Sequence, residues 1–276
     1  SLDNWVRVET PDGYIGYVAK DEVSGQQEAL AHVQDASLVF TGVRRDHKIN
    51  LAWHQTTSQA ANQALGSVIA NVTGVNVVSP PWFPVVDNGG TLSNLASAEY
   101  VAQAHAAGLE VWGLVDNFNE NFSTETALAS YSVRTNIISQ LVSIAQQVGL
   151  DGINVDIENV THLHRSDYAA FVELLRRKLP QDKIVAVAVA ANPYGITQGW
   201  HGSYDYRRLA QSADYLMMMT YDEHYQGGAP GPVASYDFME RSIQYALKYA
   251  PAEKLVLGIP FFGRIWSESG NLMQGH

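Results

Sequence analysis

The first part of the chain alternates apolar and polar side chains. Residues 4–19 keep this two-residue period on both sides of Pro11-Asp12-Gly13, a sequence typical of a tight turn. The pattern predicts two antiparallel strands, which are too few to be stable alone. We therefore expect residues 1–23 to belong to a small all-β module, followed by a polar linker over residues 24–46.

From residue 48 onward the pattern changes to short runs rich in Val, Ile, Leu and aromatic residues, which predict strands. They cover residues 48–55, 75–83, 110–117, 151–158, 183–192, 215–222 and 254–263. Amphipathic helical stretches separate them, most clearly at residues 98–107, 132–148 and 167–179. The first two are expected to end at Gly108 and Gly149, and the third to begin after Ser166 and stop at Pro180.

Strands that are apolar on both faces and alternate with helices predict a parallel sheet covered by helices, either doubly wound or closed into a (β/α)8 barrel. Six of the seven runs end in polar or aromatic side chains, as expected when every strand end faces one active-site mouth. No glycine-rich phosphate loop follows the first run, which counts against a dinucleotide-binding sheet. We therefore predict an α/β fold with a TIM barrel over residues 47–276. The ten residues after Trp266 are too few and too polar for an eighth strand and helix, so this barrel is expected to be incomplete.

Three polar side chains share one face of the strand predicted at residues 151–158. Because side chains alternate across a strand, Asn154, Asp156 and Glu158 point to the same side. Burial and the neighbouring carboxyl group are expected to raise the pKa of one carboxyl group, leaving an acid protonated near neutral pH. The alternative is a purely structural strand, which is disfavoured because burying two carboxylates costs several kcal/mol.

The placement of these two carboxyl groups favours one kind of glycoside cleavage. Asp156 and Glu158 lie on the same side of one strand, so they do not flank a sugar and a water as an inverting pair does. Asp156 is also badly placed as a nucleophile. The acetamido oxygen of an N-acetylated sugar is a suitable replacement, with Asp156 holding the amide N–H while an oxazolinium ion forms.

The run Asp151 to Glu158 resembles the DGxDxDxE motif of glycoside hydrolase family 18, with Asn154 in place of the commoner Asp. The run Met219 to Asp222 resembles the MxYD motif of the same family. The resemblance implies that Glu158 protonates the leaving oxygen, that Asp156 orients the acetamido group, and that the Tyr221 hydroxyl contacts the acetamido carbonyl oxygen.

The segments SPPWFPVVDNGG and MMTYDEHYQGGAPGPVAS resemble one branch of that family, the spore cortex-lytic glucosaminidases and related bacterial wall hydrolases. Those enzymes cut peptidoglycan after N-acetylglucosamine, and residues 1–23 resemble the end of a bacterial SH3-like wall-targeting domain. Side chains at strand ends and in the following loops are expected to contact the sugar: Asn154, Asn159, Asp222, Trp82, Asn117 and Tyr225.

The composition of the chain excludes several classes of binding partner. The excess of 28 acidic over 17 basic residues repels nucleic acids and anionic membranes, and no apolar run is long enough to span a bilayer. The chain has no cysteine, and His162 and His164 lack a third ligand at suitable spacing, so neither a metal nor a cofactor is expected. We expect a secreted or wall-associated protein whose signal peptide is absent from this chain.

Three functions are therefore compared. The favoured one is a retaining, substrate-assisted β-N-acetylglucosaminidase that acts on peptidoglycan. A chitinase or chito-oligosaccharide hydrolase is the second. The third is a sugar-binding protein without hydrolytic activity, which the intact Glu158 disfavours.

Overall fold

The computed structural model describes residues 4–9, 15–23, 42–267 and 272–275. Its β-strands are β1 (Trp5–Glu9), β2 (Ile15–Ala19), β3 (Leu51–Trp53), β4 (Val77–Ser79), β5 (Phe83–Pro84), β6 (Glu110–Asp116), β7 (Gly152–Asp156), β8 (Ile184–Ala190), β9 (Tyr215–Met219), β10 (Leu255–Leu257), β11 (Arg264–Trp266) and β12 (Leu272–Gly275).

The α-helices alternate with these strands along most of the chain. They are α1 (Gln59–Gln63), α2 (Leu65–Ile69), α3 (Ala98–Ala106), α4 (Thr124–Ala129), α5 (Tyr131–Val148), α6 (Arg165–Lys178), α7 (Tyr206–Ser212) and α8 (Tyr236–Ala246). Short 3-10 helices cover Lys20–Glu22, His162–His164, His201–Ser203 and Ala252–Lys254. No helix in the described ranges has both the length and the apolar character needed to cross a membrane.

The central sheet is a curled half-barrel of seven parallel strands. Its order is β10-β9-β8-β7-β6-β4-β3, and the short β5 pairs with β6 beside this path. This confirms the prediction of a TIM-barrel-like α/β fold. Strands β11 and β12 form a separate antiparallel hairpin instead of joining the sheet, so β3 and β10 are its two edges among the described residues.

The two faces of the sheet carry different side chains. On the concave face, Trp112 stacks on Tyr215 with ring centroids 5.7 Å apart, next to Met217. On the convex face, residues such as Val115 and Ile153 join the main core formed with the helices. Side chains two residues apart on a strand therefore point to the same face, as predicted. This alternation directs the polar side chains near the ends of β6 and β7 to the concave face.

The helix boundaries follow the predictions with one correction. Helix α5 ends at Gly149, whose φ of 78° is the left-handed cap conformation that favours glycine. Helix α6 begins at Arg165, because the 3-10 turn His162–His164 leads directly into it and His164 takes the N-cap position. The prediction of Ser166 as the N-cap is therefore wrong.

The N-terminal region forms the predicted hairpin, in which β1 pairs with β2 in antiparallel orientation. Most of the predicted linker lies outside the described residues. Its last part contacts the barrel: the Val43 N–H donates to Asp214 Oδ1 at 2.7 Å, and Arg45 Nε donates to Glu110 Oε1 at 2.5 Å. The end of the predicted linker is therefore hydrogen-bonded to the barrel, and the domain boundaries stay a prediction.

Candidate active site

The candidate site lies where the carboxyl ends of the parallel strands meet, as in barrel enzymes. Asp156 is the last residue of β7, and Glu158 follows two residues later. Asp116 ends the neighbouring strand β6 and is the direct register partner of Asp156. Tyr221 follows the end of β9. Three carboxyl groups and a phenol therefore converge on one mouth.

Asp156 is the strongest proton binder of these carboxyl groups. Burial, helped by the nearby negative charges of Glu158 and Asp116, raises its pKa to about 8. Its Oδ1 atom is buried and has no hydrogen-bond partner among the described residues. Asp156 is therefore largely a neutral carboxylic acid at pH 7, with one oxygen available to a ligand.

The Glu158 carboxyl group binds its proton more strongly than an exposed glutamate does. Burial raises the pKa of its carboxyl group, and the negative charge of Asp222 raises it further. The side chain is only partly buried, so it can meet a substrate in the mouth. The next residue, Asn159, has a left-handed φ of 58°, which turns the chain sharply after the acid.

Asn117 holds the main chain of this acid in place. The Glu158 N–H donates to Asn117 Oδ1 at 2.9 Å, and Asn117 Nδ2 donates to the Glu158 carbonyl oxygen at 2.8 Å. The same Nδ2 donates to Thr124 Oγ1 at 2.8 Å. Because both ends of the amide are occupied, the prediction that Asn117 contacts substrate is corrected to a positioning role.

Tyr221 is held close to the neighbouring strand end. Gly258 packs against its ring and against the Met218 carbonyl oxygen, and a Cβ atom at position 258 would clash with that oxygen. Burial raises the pKa of the Tyr221 phenol, and the nearby Asp156 and Glu158 charges raise it further. The phenol therefore remains protonated and is able to donate a hydrogen bond.

Asp222 is fixed by an ion pair at the rim of the mouth. Its φ of 61° is left-handed, and Arg264 Nη2 lies 2.7 Å from its Oδ1. The Asp222 side chain is 47% exposed, whereas that of Arg264 is 15% exposed. Arg264 also donates from Nη1 to the His224 carbonyl oxygen at 3.1 Å, which ties the start of β11 to the loop that follows β9.

Asn154 lies one layer below Asp156 on β7 and is fully buried. Its Nδ2 donates to Ser79 Oγ at 3.1 Å, and its Oδ1 has no hydrogen-bond partner among the described residues. Asn154 therefore lies in the floor beneath the Asp156 and Glu158 carboxyl groups, and its contact with substrate stays a prediction.

The two aromatic side chains predicted to stack on sugar differ in exposure. Trp82 is 0% exposed, its indole N–H donates to Asn62 Oδ1 at 2.8 Å, and it packs edge-on against Tyr100. The Trp82 prediction is therefore wrong, because this ring belongs to the core. Tyr225 is 57% exposed, and its role in stacking stays a prediction.

The histidines after Glu158 belong to structural contacts. His164 Nδ1 lies 2.8 Å from Asp167 Oδ2, and the Gly199 N–H donates to His162 Nδ1 at 3.1 Å. No group of three or more His, Asp or Glu side chains suited to a metal ion occurs in the part of the chain that the structure describes.

Two cavities in the described part of the chain lie away from the carboxyl groups. One, of about 420 Å³, is apolar and lies between β3 and α2; another, of about 340 Å³, is polar and is lined by Tyr194, Tyr245 and Tyr249. Neither contains Asp156 or Glu158. The site is therefore identified by its chemistry and not by cavity size.

Comparisons with known proteins agree with this chemistry. The chain matches the family model of the glycosyl hydrolases family 18 over residues 14–275. This match begins inside the N-terminal hairpin, and none of the comparisons supports the SH3-like resemblance of residues 1–23.

Two curated relatives come from Bacillus subtilis (strain 168). The uncharacterized glycosylase YvbX is 27% identical over 202 residues, which cover 70% of this chain and 58% of the relative. The cortical fragment-lytic enzyme is 29% identical over 154 residues, 54% of this chain and 36% of the relative. The chain thus spans less than two thirds of the length of either relative.

A solved structure shows the same similarity in three dimensions. The chitinase from Chromobacterium violaceum ATCC 12472 is 29% identical, with a TM-score of 0.68. The match covers 79% of this chain and 70% of that structure.

Proposed function

Because the chain belongs to the glycosyl hydrolases of family 18, we propose that it hydrolyses β-1,4 bonds after N-acetylglucosamine in bacterial peptidoglycan. The reaction retains the anomeric configuration and passes through an oxazolinium ion formed by the substrate's own acetamido group. The similarity to a cortical fragment-lytic enzyme supports peptidoglycan as the polymer. The protein then acts at the cell wall or outside the cell.

One observation carries this mechanism: at the end of β7, two residues before Glu158, the buried Oδ1 atom of Asp156 is unpartnered among the described residues. A retaining enzyme with a carboxylate nucleophile needs a second, ionised carboxylate that can reach the anomeric carbon. With its pKa raised to about 8, Asp156 is mostly neutral at pH 7 and is a poor nucleophile. The acetamido oxygen of the substrate is the group that takes its place.

Each side chain of the mouth then has a defined step. Glu158 donates its proton to the leaving glycosidic oxygen while the acetamido oxygen attacks the anomeric carbon, so the glycosidic bond breaks as the oxazolinium ring closes. Asp156 accepts a hydrogen bond from the acetamido N–H, and Tyr221 donates one to the acetamido oxygen. Water then attacks the anomeric carbon and gives a proton to the Glu158 carboxylate. The bond between the anomeric carbon and the acetamido oxygen breaks, which opens the ring and restores both the acid and the acetamido group.

The direct test uses purified peptidoglycan and mass spectrometry of the new reducing ends. We expect N-acetylglucosamine at those ends, no cleavage of the same polymer after chemical N-deacetylation, and no cleavage by a Glu158→Gln variant. Cleavage of N-deacetylated polymer at the same rate would contradict the substrate-assisted mechanism, because no acetamido oxygen is then available.

Chitin is the second candidate substrate. The similarity to the Chromobacterium violaceum chitinase favours it, because that structure is 29% identical to this chain and matches 79% of it. If the protein releases chitobiose from chitin and leaves peptidoglycan intact in a parallel incubation, chitin replaces peptidoglycan as the substrate. Binding of both polymers without cleavage would instead indicate a non-hydrolytic sugar-binding protein.

A further inference from the structure

The peptide group between Ile157 and Glu158 lies just beyond the paired part of β7. The register of β7 with β6 ends at Asp156, and the register with β8 ends at Val155. No main-chain group among the described residues forms a hydrogen bond with the Ile157 carbonyl or the Glu158 N–H. Ile157 is nevertheless buried. A buried main-chain group without a hydrogen bond is costly, so side chains have to replace the neighbouring strand here.

Two side chains supply these bonds, one at each end of the peptide group. The Tyr204 hydroxyl donates to the Ile157 carbonyl oxygen at 3.2 Å, and the Glu158 N–H donates to Asn117 Oδ1 at 2.9 Å. A peptide group is planar, so its C=O and N–H turn together. Hydrogen bonds at both ends therefore fix the plane of this group, and with it the direction in which the Glu158 side chain leaves the main chain.

The core holds the Tyr204 ring in place. This residue is 3% exposed and packs edge-on against Tyr168 of α6, with the ring centroids 5.9 Å apart. It directly follows the 3-10 helix His201–Ser203, and its N–H donates to the His201 carbonyl oxygen at 3.4 Å. Burial raises the pKa of the Tyr204 phenol, so the hydroxyl keeps its proton and is able to donate. The donor is therefore in place before a substrate binds.

We propose that Tyr204 is a positioning residue for the acid, because its hydrogen bond to Ile157 fixes the peptide group that carries Glu158. Tyr204 is buried and acts through the main chain, without touching the substrate. Its hydrogen bond is longer than most bonds from a hydroxyl donor, so a moderate effect is expected. The effect on hydrolysis rests on the function proposed above, whereas the fixed peptide group does not.

Tyr206 provides a matched control two residues further along the chain. It is also buried, and its hydroxyl donates to the Ala190 carbonyl oxygen at the end of β8. Tyr204→Phe and Tyr206→Phe each remove one hydroxyl donor from the carbonyl of a buried residue. Only the first of these carbonyls belongs to the peptide group of Glu158. Both variants are expected to lower Tm by a similar amount, about 3 °C.

The first measurement needs no substrate. Amide hydrogen exchange of the whole chain, followed by NMR, reports how often the Glu158 N–H opens to solvent. In Tyr204→Phe we expect this exchange to be about fivefold faster than in the wild type, because one end of the peptide group is released. In Tyr206→Phe it should stay within about twofold of the wild type. An unchanged rate in Tyr204→Phe, or an equal increase in both variants, would overturn the proposal.

The second measurement is the hydrolysis of N-acetylglucosamine oligomers. Tyr204→Phe is expected to lower kcat about fivefold with little change in KM, because a misplaced acid weakens proton transfer without removing a contact to the sugar. Tyr206→Phe should keep kcat within about twofold of the wild type. A loss that appears in KM alone, or equal losses of kcat in both variants, would overturn the proposal.

The wild-type chain supplies a third measurement, which is decisive if Tyr204→Phe does not fold. In equal parts of H2O and D2O, a hydroxyl that exchanges slowly splits the ¹³Cζ signal of its own ring. We expect this splitting for Tyr204, and a single averaged signal would overturn the proposal. A wild-type protein that cleaves no N-acetylglucosamine polymer, while the variants show the expected amide exchange, would instead refute the proposed function and leave the fixed peptide group standing.

Discussion

Two segments carry the reacting side chains to the mouth, and they are built in different ways. We name them the acid segment, Glu158 with its clamp Asn117, and the tyrosine segment, Tyr221 and Asp222 with Arg264. In each, the residue after the reacting side chain has a left-handed backbone, with φ of 58° at Asn159 and 61° at Asp222. In both segments the main chain therefore turns sharply immediately after the side chain that faces the mouth.

The difference lies in what holds each turn. The acid segment is fixed by hydrogen bonds between the Asn117 amide and the main chain of Glu158, which do not depend on pH or salt. The tyrosine segment is fixed by an ion pair with a carboxylate that is 47% exposed. The hydrogen bonds from Asn117 hold the main chain of Glu158 in place. The ion pair instead places the negative charge of Asp222 near Glu158, where it adds to the effect of burial and raises the Glu158 pKa.

The largest effect is expected from removing the acid itself. Glu158→Gln keeps the shape of the side chain but has no proton to donate to the leaving oxygen, so we expect kcat to fall by about 10³-fold. The variant should still bind N-acetylglucosamine oligomers and melt near the wild-type temperature. Retention of more than a tenth of the wild-type rate would show that another group is the acid.

Breaking the clamp is expected to have the next largest effect. Asn117→Ala removes three hydrogen bonds and leaves two main-chain groups of Glu158 without partners, so we expect kcat to fall about 30-fold and stability to fall by about 2 kcal/mol.

The matched control for the clamp is Asn119→Ala, which removes a side chain that accepts only a local hydrogen bond from the Asn121 N–H. We expect this control to leave kcat within about twofold of the wild type. Equal losses of kcat in the two variants would show that the clamp has no special role. Rates and urea unfolding curves give both quantities.

Burial of the Asp156 carboxyl group also lowers the free energy of unfolding, by an amount that depends on pH. Because the pKa of Asp156 is raised from 3.8 to about 8 in the folded protein, its contribution to stability is full below about pH 3.8 and is lost as pH rises through 8. Asp156→Asn avoids this loss. We expect it to raise the free energy of unfolding by on the order of 2 kcal/mol at pH 7, and by much less at pH 4.

Urea unfolding at pH 4, 6 and 8.5 measures this difference between wild type and variant. The gain should increase over the series and level off above pH 8. A gain of equal size at pH 4 and pH 8.5 would contradict a raised pKa for Asp156.

The smallest effect is expected in the tyrosine segment. Arg264→Gln leaves the charge of Asp222 unpaired, so the pKa of Glu158 rises further and the alkaline limb of the pH–activity profile moves up by about 0.3 pH unit. Asp222→Asn should move the same limb down. Both shifts should shrink in 0.5 M salt, which screens exposed charges. Shifts in the same direction for both variants would contradict the proposed effect of the Asp222 charge on the pKa of Glu158.

Several features of the site follow from the sequence alone because they depend on local periodicity. The alternation in residues 151–158 predicts that Asn154, Asp156 and Glu158 share a face, and the structure has this arrangement up to the end of β7 at Asp156. The buried face of α6, with Tyr168 and Phe171, is predicted in the same way. In these cases neighbouring residues in the chain determine the direction of the side chain.

Other features depend on contacts that the chain pattern does not contain. The pairing of Asp116 with Asp156 follows from the register of two strands about 40 residues apart, and Asn117 reaches Glu158 across 41 residues. The polar end of the run at residues 110–117 indicates this region but does not identify the partners of its side chains. The sequence does not show that Trp82 is buried, because an aromatic residue at a strand end fits either the core or a sugar-stacking surface.

The most direct test of the central claim, an acid at Glu158 that works with the substrate's acetamido group, is the anomeric configuration of the first product. ¹H NMR during the first minutes of hydrolysis distinguishes the β-anomer from the α-anomer before they interconvert. We expect the β-anomer to appear first, because two displacements at the same carbon retain configuration. Initial formation of the α-anomer would contradict it, because a single attack by water would then require a base that faces Glu158 across the sugar.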